Sequence, residues 1–511
     1  MILFISILIC GCLFGLHLIF LLEKKKPGSD QYVHIHFIKA TKKVKHRYLH
    51  QIPGWLFGNF SGYPLLYHQM LSFFSKKGLK KFQKISSWLY FTVYLGLFVL
   101  GYFILVPTQY FSNSKNATQI LLIVAMTLSS PLFFNRSDAR NSGISARSFG
   151  MIFGLLYTFV LAKQLHGDDL DWLPLLLGIV CVYFSFLASQ FTLQFILFVS
   201  IFYAVINLNC MPLLNIAGGL VLFVGIHYKI AKAFFSFQIE HKKNFIRFNP
   251  FLKKSYGLWS YFKKQFWTEL SWSSNKKKPL FILRNTNSVL HLVMGATMVP
   301  VAVGIEIYNW WHGRTTPLGV IAMATLITFF ATSFRRTRFL GEPERYLTFV
   351  VFTSSICVVL TLPIWWSIAI IFVLLSRMLA MSFTDIKTPA DDQSDSHFEE
   401  IKKAVNELAE NEEVRVGSNN MSISKKLISL KYETFYGWMF SLYHYNPYQF
   451  FKENNWPTLE EEFFIKFVHD YQLNYLVIDR GSFVGELTDS KLKFTFIQAS
   501  GLLTLYKVVS K

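Results

Sequence analysis

Residues 172–228 read WLPLLLGIVCVYFSFLASQFTLQFILFVSIFYAVINLNCMPLLNIAGGLVLFVGIHY, and the fold is decided there. The stretch holds three apolar runs, near 172–188, 191–206 and 211–228, with very short separations. A run of roughly 17 apolar residues is long enough to cross ~30 Å of hydrocarbon as a helix. A helix satisfies its own backbone hydrogen bonds inside lipid, so repeated runs of this kind predict a helical bundle rather than a barrel.

The same signal recurs on both sides. Before this segment, runs near 1–22, 88–106, 118–134 and 149–165 read as spans; after it come 289–307, 318–333, 346–360 and 362–379. The expectation is a polytopic α-helical membrane protein of about 11 spans. The run 1–22 has no basic segment before it and no small-residue cleavage pattern, and is longer than a signal-peptide core, so it reads as a retained span. Composition agrees. Of 511 residues, 52% are hydrophobic and only 16% charged, against about 25% charged in ordinary soluble domains. The mean hydropathy is +0.34.

The net charge is +21, gathered in a few loops. On a membrane protein such charge meets lipid headgroups or anionic substrates, and no soluble binding module carries it, which disfavours a nucleic-acid partner. The five cysteines, Cys10, Cys12, Cys181, Cys210 and Cys357, lie in or beside apolar runs without metal-ligand spacing and read as small core residues.

Two long polar stretches interrupt the spans, 23–87 and 229–284. The second interleaves lysines with aromatics and reads as an interfacial segment. Residues 1–384, with these loops, form the transmembrane domain. From 385 to 511 the composition turns polar, and a small soluble α/β domain is expected. Helices are expected at 397–411 and 460–471. Strands are expected at 414–416 and 475–479, with a final hairpin, 494–497 and 502–508, around Ser500-Gly501.

The chemistry-bearing residues begin in the first polar loop, where Asp30-Gln-Tyr-Val-His34-Ile-His36 precedes Tyr63-Pro-Leu-Leu-Tyr-His68. A carboxylate at the membrane edge, one helical turn before His34, suits a general base for a hydroxyl acceptor or a ligand for a hard divalent cation such as Mg or Mn. Asp30 also suits a helix N-cap, which needs no function. His34, His36, His46, His50 and His68 crowd this loop at spacings that match no standard metal site.

An apolar first span, a loop opening with Asp30-x-x-x-His34, and a Tyr-Pro-Leu-Leu-Tyr-His68 element before the second span together resemble the GT-C fold membrane glycosyltransferases. These use polyprenyl-phosphate or polyprenyl-pyrophosphate sugars, as mannosyl- and arabinosyltransferases do. The resemblance covers the plan of the chain, and its motifs cover about 45 residues. It implies that Asp30 is the catalytic carboxylate, with His34 and His68 as lesser candidates. It also implies a soluble tail on the outer face of the membrane.

Two further loops supply cations. Residues 335–345 hold Arg335, Arg336, Arg338 and Arg345 with Glu342 and Glu344. Guanidinium forks suit a donor phosphate, so Arg336, Arg338 and Arg345 are the candidates for it. Glu342 or Glu344 is a candidate second acid or a partner of the arginines, and the turn shaped by Gly341 and Pro343 favours function over a charged loop that merely sets topology. Residues 135–147 hold Asp138 and Arg147, which would line a sugar or phosphate site or a solvated turn. Even numbers of spans separate these loops from the first, which puts them on one face. The positive-inside rule places that face in the cytoplasm, whereas the resemblance places it outside, in a bacterial inner membrane.

The expected function is sugar transfer from a polyprenyl-linked donor to a cell-envelope glycan, lipid or protein. The alternatives are an O-antigen-type polysaccharide polymerase or ligase, and a polysaccharide transporter or flippase. The last is disfavoured by spans poor in charge and lacking a repeat.

Overall fold

The structure is a computed structural model. It describes residues 7, 10–15, 30–49, 51–56, 62–106, 115–132, 144–164, 172–248, 288–334, 337, 340, 343–384, 389–435, 461–481 and 492–510. The chain forms two compact units. One comprises Met1–Lys26, Lys81–Tyr228 and Ser255–Asp385; the other comprises Pro27–Lys80, Lys229–Lys254 and Ile386–Lys511.

The first unit is a bundle of apolar helices. Among the described residues, four helices are long and apolar enough to cross a membrane: Lys76–Leu105, Ala146–Gln164, Gln190–Asn207 and Pro343–Thr361. Met211–Ile226 joined to Tyr228–Ile239 across a break would make a fifth. Ala117–Ser129, Trp172–Ala188, Pro317–Ser333 and Ile364–Leu379 are apolar but shorter. Trp172–Ala188 reaches only about 25 Å at ~1.5 Å per residue. Among the described residues, helices of full length do not confirm the expected count of about 11 spans.

One expected span, 289–307, is divided into Ser288–Gly295 and Met298–Trp311. Pro300 explains the break. Its ring has no N–H and clashes with the carbonyl four residues back, that of Ala296, where the helix parts.

Lipid gives helices no hydrophobic reason to associate, so close packing and internal hydrogen bonds do it. Gly178 lies so near Asn215 that a Cβ would stand 2.4 Å from its Cγ, and Gly219 is equally close to Val182. Tyr203 donates to the Leu161 carbonyl at 2.8 Å, and Asn215 and Gln164 exchange hydrogen bonds at 3.1 and 3.2 Å. The bundle also buries two formal charges that its apolar composition hides, Glu306 and Arg377, at 1% and 0% exposed. The Glu306 carboxylate accepts from the Thr316 N–H at 2.9 Å and from its hydroxyl at 2.5 Å, just ahead of the helix Pro317–Ser333.

The second unit centres on a five-stranded sheet of order β2-β1-β3-β5-β4, with β1 at Arg415–Ser418, β2 at Glu433–Thr434, β3 at Tyr475–Asp479, β4 at Leu492–Ser500 and β5 at Leu503–Ser510. Strand β1 pairs in parallel with β2 and β3, and β5 pairs antiparallel with β3 and β4. Gly501, at φ +57°, turns the hairpin. The expected strand at 475–479 forms with those bounds, and the hairpin strands are longer than their apolar cores. The two-residue β2 and the helix Met421–Leu427 carried no sequence signal strong enough to mark them.

The first polar loop is built into this unit rather than standing apart from it. Val33, Phe37, Ala40, Leu49, Ile52, Trp55 and Leu65 share one core with Phe435, Phe467, Leu473, Leu476, Ile478 and Val508. Trp55 bridges Thr434 in parallel, with Leu56 N–H donating to the Thr434 carbonyl at 3.0 Å and Thr434 N–H to the Gly54 carbonyl at 2.8 Å. Gly54, at φ +79°, would place a Cβ 2.5 Å from the Ser429 carbonyl oxygen, so only glycine fits this joint. The basic helix Tyr228–Phe248 also enters: a Cβ on Gly62 would stand 2.3 Å from that of Phe237. A tail that read as a separate soluble domain thus draws part of its core from the loop after the first span.

Candidate functional site

In the second unit, helix Asp30–Lys43 presents the candidate acid and histidine. Asp30 opens the helix and His34 follows one turn later. The helix ends where Lys45 and His46 adopt left-handed φ of 55° and 64°. Such backbone costs ~1–2 kcal/mol per non-glycine residue. The His46 ring offsets it by stacking 4.0 Å from Phe73 and bonding the Ser72 hydroxyl at 2.6 Å. That clamp holds the short helix Leu66–Ser72 against the first, and His68 meets His34 there.

His34 Nδ1 and His68 Nε2 are 2.8 Å apart, and both rings are buried. Aromatic side chains surround them. Phe37 lies edge-on to His68 at 5.2 Å, Tyr67 at 5.7 Å and Tyr63 at 5.9 Å. Burial first, and then the neighbouring His34, pull the His68 imidazole well below its usual range, so it is neutral. Nearby, His36 donates from Nε2 to the Pro53 carbonyl at 2.8 Å. Burial lowers it from the usual 6.5 to about 4, helped by Lys39 and Lys43 and opposed by the Pro53 bond.

Lys402, which the sequence did not single out, lies 5.1 Å over the Tyr32 ring and donates to the Lys426 carbonyl at 2.6 Å. Burial brings its ammonium down to about 8.

In the first unit the structure brings together two arginines that the sequence placed in different loops. The Arg147 guanidinium lies 5.7 Å from the Phe191 ring centroid, and that of Arg345 lies 5.9 Å from the same centroid. Tyr346 stacks on Phe191 at 5.1 Å, and Phe349 lies 5.9 Å away. Local sequence explains both arrivals. Arg147, Gly150 and Gly154 share a face of helix Ala146–Gln164, spaced by about one and two turns. A Cβ on Gly150 would stand 2.2 Å from that of Ser189, and one on Gly154 2.3 Å from the Phe349 ring. The two glycines let the helix seat Arg147 against the start of helix Gln190–Asn207. Pro343 opens the turn Pro343–Leu347 that carries Arg345, a position where its missing N–H costs nothing.

The two cations are at most about 12 Å apart, so at an effective dielectric near 20 their mutual repulsion is about 1.4 kcal/mol or more. Each contact with the ring returns roughly 0.5–2 kcal/mol.

Asp138, Arg336, Arg338 and Glu342 lie outside the described residues, as does the side chain of Asp30. Phe191, the ring on which the arginines converge, read only as the start of an apolar run. A signal that could have marked the close approach of helices there is the Gly150-x-x-x-Gly154 spacing beside Arg147. Among the described residues no three His, Cys, Asp or Glu side chains gather as metal ligands.

No protein-family model matches the chain, and no curated protein matches it in sequence. Solved structures do resemble it. The oligosaccharyltransferase of Archaeoglobus fulgidus, crystallised with Zn and sulfate, superposes with a TM-score of 0.51 at 12% identity, over 94% of this chain and 68% of that one. The Archaeoglobus fulgidus oligosaccharyltransferase AglB, in complex with an inhibitory peptide and a dolichol-phosphate, superposes with a TM-score of 0.50 at 11% identity, over 94% and 69%. At this identity the likeness is one of fold: the chain has the GT-C fold of a membrane protein.

Proposed function

From the shared GT-C fold as premise, we propose that this chain is a membrane glycosyltransferase that takes a sugar from a polyprenyl-phosphate or -pyrophosphate donor. The observation that carries the reading is the convergence of Arg147 and Arg345 on Phe191. Guanidinium forks bond phosphate oxygens in pairs. Packing alone does not call for two of them, from segments distant in the chain, on one ring.

The reaction is a displacement. Asp30 takes the proton of an acceptor hydroxyl as its oxygen attacks the anomeric carbon. The bond from that carbon to the phosphate oxygen breaks, and its electron pair leaves on the lipid phosphate. Arg147 and Arg345, with Arg336 and Arg338 from the same loop as Arg345, offset the charge that develops there. Asp30 then returns its proton to water. The loops and the C-terminal sheet face outward from a bacterial plasma membrane, where polyprenyl-linked sugars meet envelope acceptors.

The neighbouring structures are oligosaccharyltransferases, one with a peptide and a dolichol-phosphate bound. This favours transfer of a lipid-linked glycan to a protein over the mannosyl- or arabinosyltransferase activities of other GT-C enzymes. It also supports a transferase over a polysaccharide polymerase or flippase.

The test is a transfer assay in proteoliposomes with a lipid-linked donor. Asp30→Asn is expected to reduce transfer about a hundredfold or more while leaving the melting profile intact. Full transfer by that variant would remove Asp30 from the mechanism.

A further inference from the structure

The histidine pair carries an inference about which atoms hold protons. His34 Nδ1 and His68 Nε2 are 2.8 Å apart. Two nitrogens on one tetrahedral zinc stand roughly 3.3 Å apart, given Zn–N bonds of ~2.0–2.1 Å. The spacing is that of a hydrogen bond, so one nitrogen donates and the other accepts.

The surroundings of His68 decide which. Its Nδ1 is buried and has no hydrogen-bond partner among the described residues. The rings of Phe37, Tyr63 and Tyr67 stand around it. If His68 accepted at Nε2, its proton would sit on Nδ1 as an orphaned buried N–H. If His68 donates from Nε2, Nδ1 keeps only a lone pair, and a buried acceptor without a partner is the more tolerable state. A doubly protonated His68 would bury both a charge and the orphaned N–H. The neutral donor is the state with the smallest cost.

His34 must then accept at Nδ1, and a neutral ring that accepts there carries its proton on Nε2. We infer that His68 is a positioning residue that fixes His34 as the neutral Nε2–H tautomer, so that His34 serves as a hydrogen-bond donor to an anionic oxygen and not as a base. This deepens the proposed transfer reaction and rests on it for what the donor does. The anionic oxygen is a carboxylate of the kind Asp30 brings one helical turn earlier, or a substrate phosphate. Two bases within one turn would compete for the same proton, whereas a base and a neutral donor do not.

The test reads the tautomer directly. The full-length protein, labelled with nitrogen-15 histidine and placed in lipid bilayers without substrate, is measured by solid-state NMR at neutral pH. His34 and His68 are assigned by the signals missing in His34→Gln and His68→Gln. The expected result is His34 bare at Nδ1 and protonated at Nε2. A proton on His34 Nδ1, or an imidazolium on either ring, overturns the inference.

The side-chain amide of His68→Gln can still donate to His34 Nδ1, so the His34 tautomer persists and transfer stays within roughly threefold of native. His68→Leu removes the donor. The His34 tautomer then redistributes and transfer falls about 10–100-fold, as for other partners that orient a functional side chain. A His68→Leu protein that keeps both tautomer and transfer also overturns it. Should that variant fail to fold, the native and His68→Gln spectra decide alone. A fully active Asp30→Asn variant would defeat the transfer reading and leave the tautomer result untouched, so the two failures are distinguishable.

Discussion

The Phe191 cluster and the His34–His68 pair meet the same difficulty, a titratable side chain in low-dielectric surroundings, in opposite ways. Arginine does not give up its proton at any ordinary pH. Arg147 and Arg345 stay half-buried and charged, and lean on the face of an aromatic ring. Histidine can give its proton up. His34 and His68 are buried at 6% and 0% exposed and share one hydrogen bond, and burial, followed by the neighbouring His34, pulls the His68 imidazole well below its usual range. The lesson is that a cluster of basic residues is not one kind of site. On the proposed reading, the arginine region offers guanidinium groups to an anionic ligand. The histidine region gives up its field for a defined donor and acceptor geometry.

The largest test of the contrast removes the charge. Replacing both Arg147 and Arg345 by Ala is expected to lower transfer by about 10²–10³-fold, the range for losing a preorganised donor to developing charge. Assays across donor concentration would show it. Lysine at either position keeps the charge without the fork and should fall between. A double variant of full activity would reduce the cluster to packing.

Gly154→Leu sharpens the comparison from the packing side. Its side chain must displace the Phe349 ring, which costs about 1–3 kcal/mol in overpacked sites, and it should draw Arg147 from Phe191. Weakened donor binding together with a lower melting temperature is expected. Normal donor binding would separate the glycine face from the arginine's position.

A smaller effect is expected from Phe191→Leu, which keeps an apolar side chain but removes the π face. Donor affinity should fall about tenfold, in line with ~0.5–2 kcal/mol per cation–π contact. Equilibrium binding of a lipid-linked donor checks it.

The smallest effect at neutral pH, and a growing one below it, concerns His36. Burial holds it neutral in the fold down to about 4, whereas the unfolded chain protonates near 6.5. Its stabilisation is complete above 6.5 and is lost as pH falls towards 4. Amide protection across residues 30–49, taken relative to the intrinsic exchange rate at each pH, should fall over that window. His36→Gln, which can still donate to the Pro53 carbonyl, should flatten the dependence. An unchanged profile would mean that another group governs the acid response.

Local pattern made much of this legible. The helix from Asp30, strand β3 and the hairpin at Ser500-Gly501 follow from apolar periodicity and turn chemistry, which act over a few residues. The break near Ala296 was equally local, since Pro300 stands in the sequence, although the apolar run across it masked the signal. The joint of Trp55 with Thr434 was not legible, because strand pairing between residues so far apart leaves no mark in either segment alone. Asp30, His34 and His68 were readable as candidates, whereas the bond between the two rings was not.

The amino-acid sequence by itself determined that this chain is a polytopic helical membrane protein with basic loops, because apolar run length and charge composition are properties of the unfolded chain. Only the tertiary structure decided that the His68 imidazole is drawn well below its usual range. That depends on how far each group is withdrawn from water and on what lies beside it. It took Gly150, Gly154 and Pro343 to bring two arginines to one ring, and three aromatic side chains to strip a histidine of its proton.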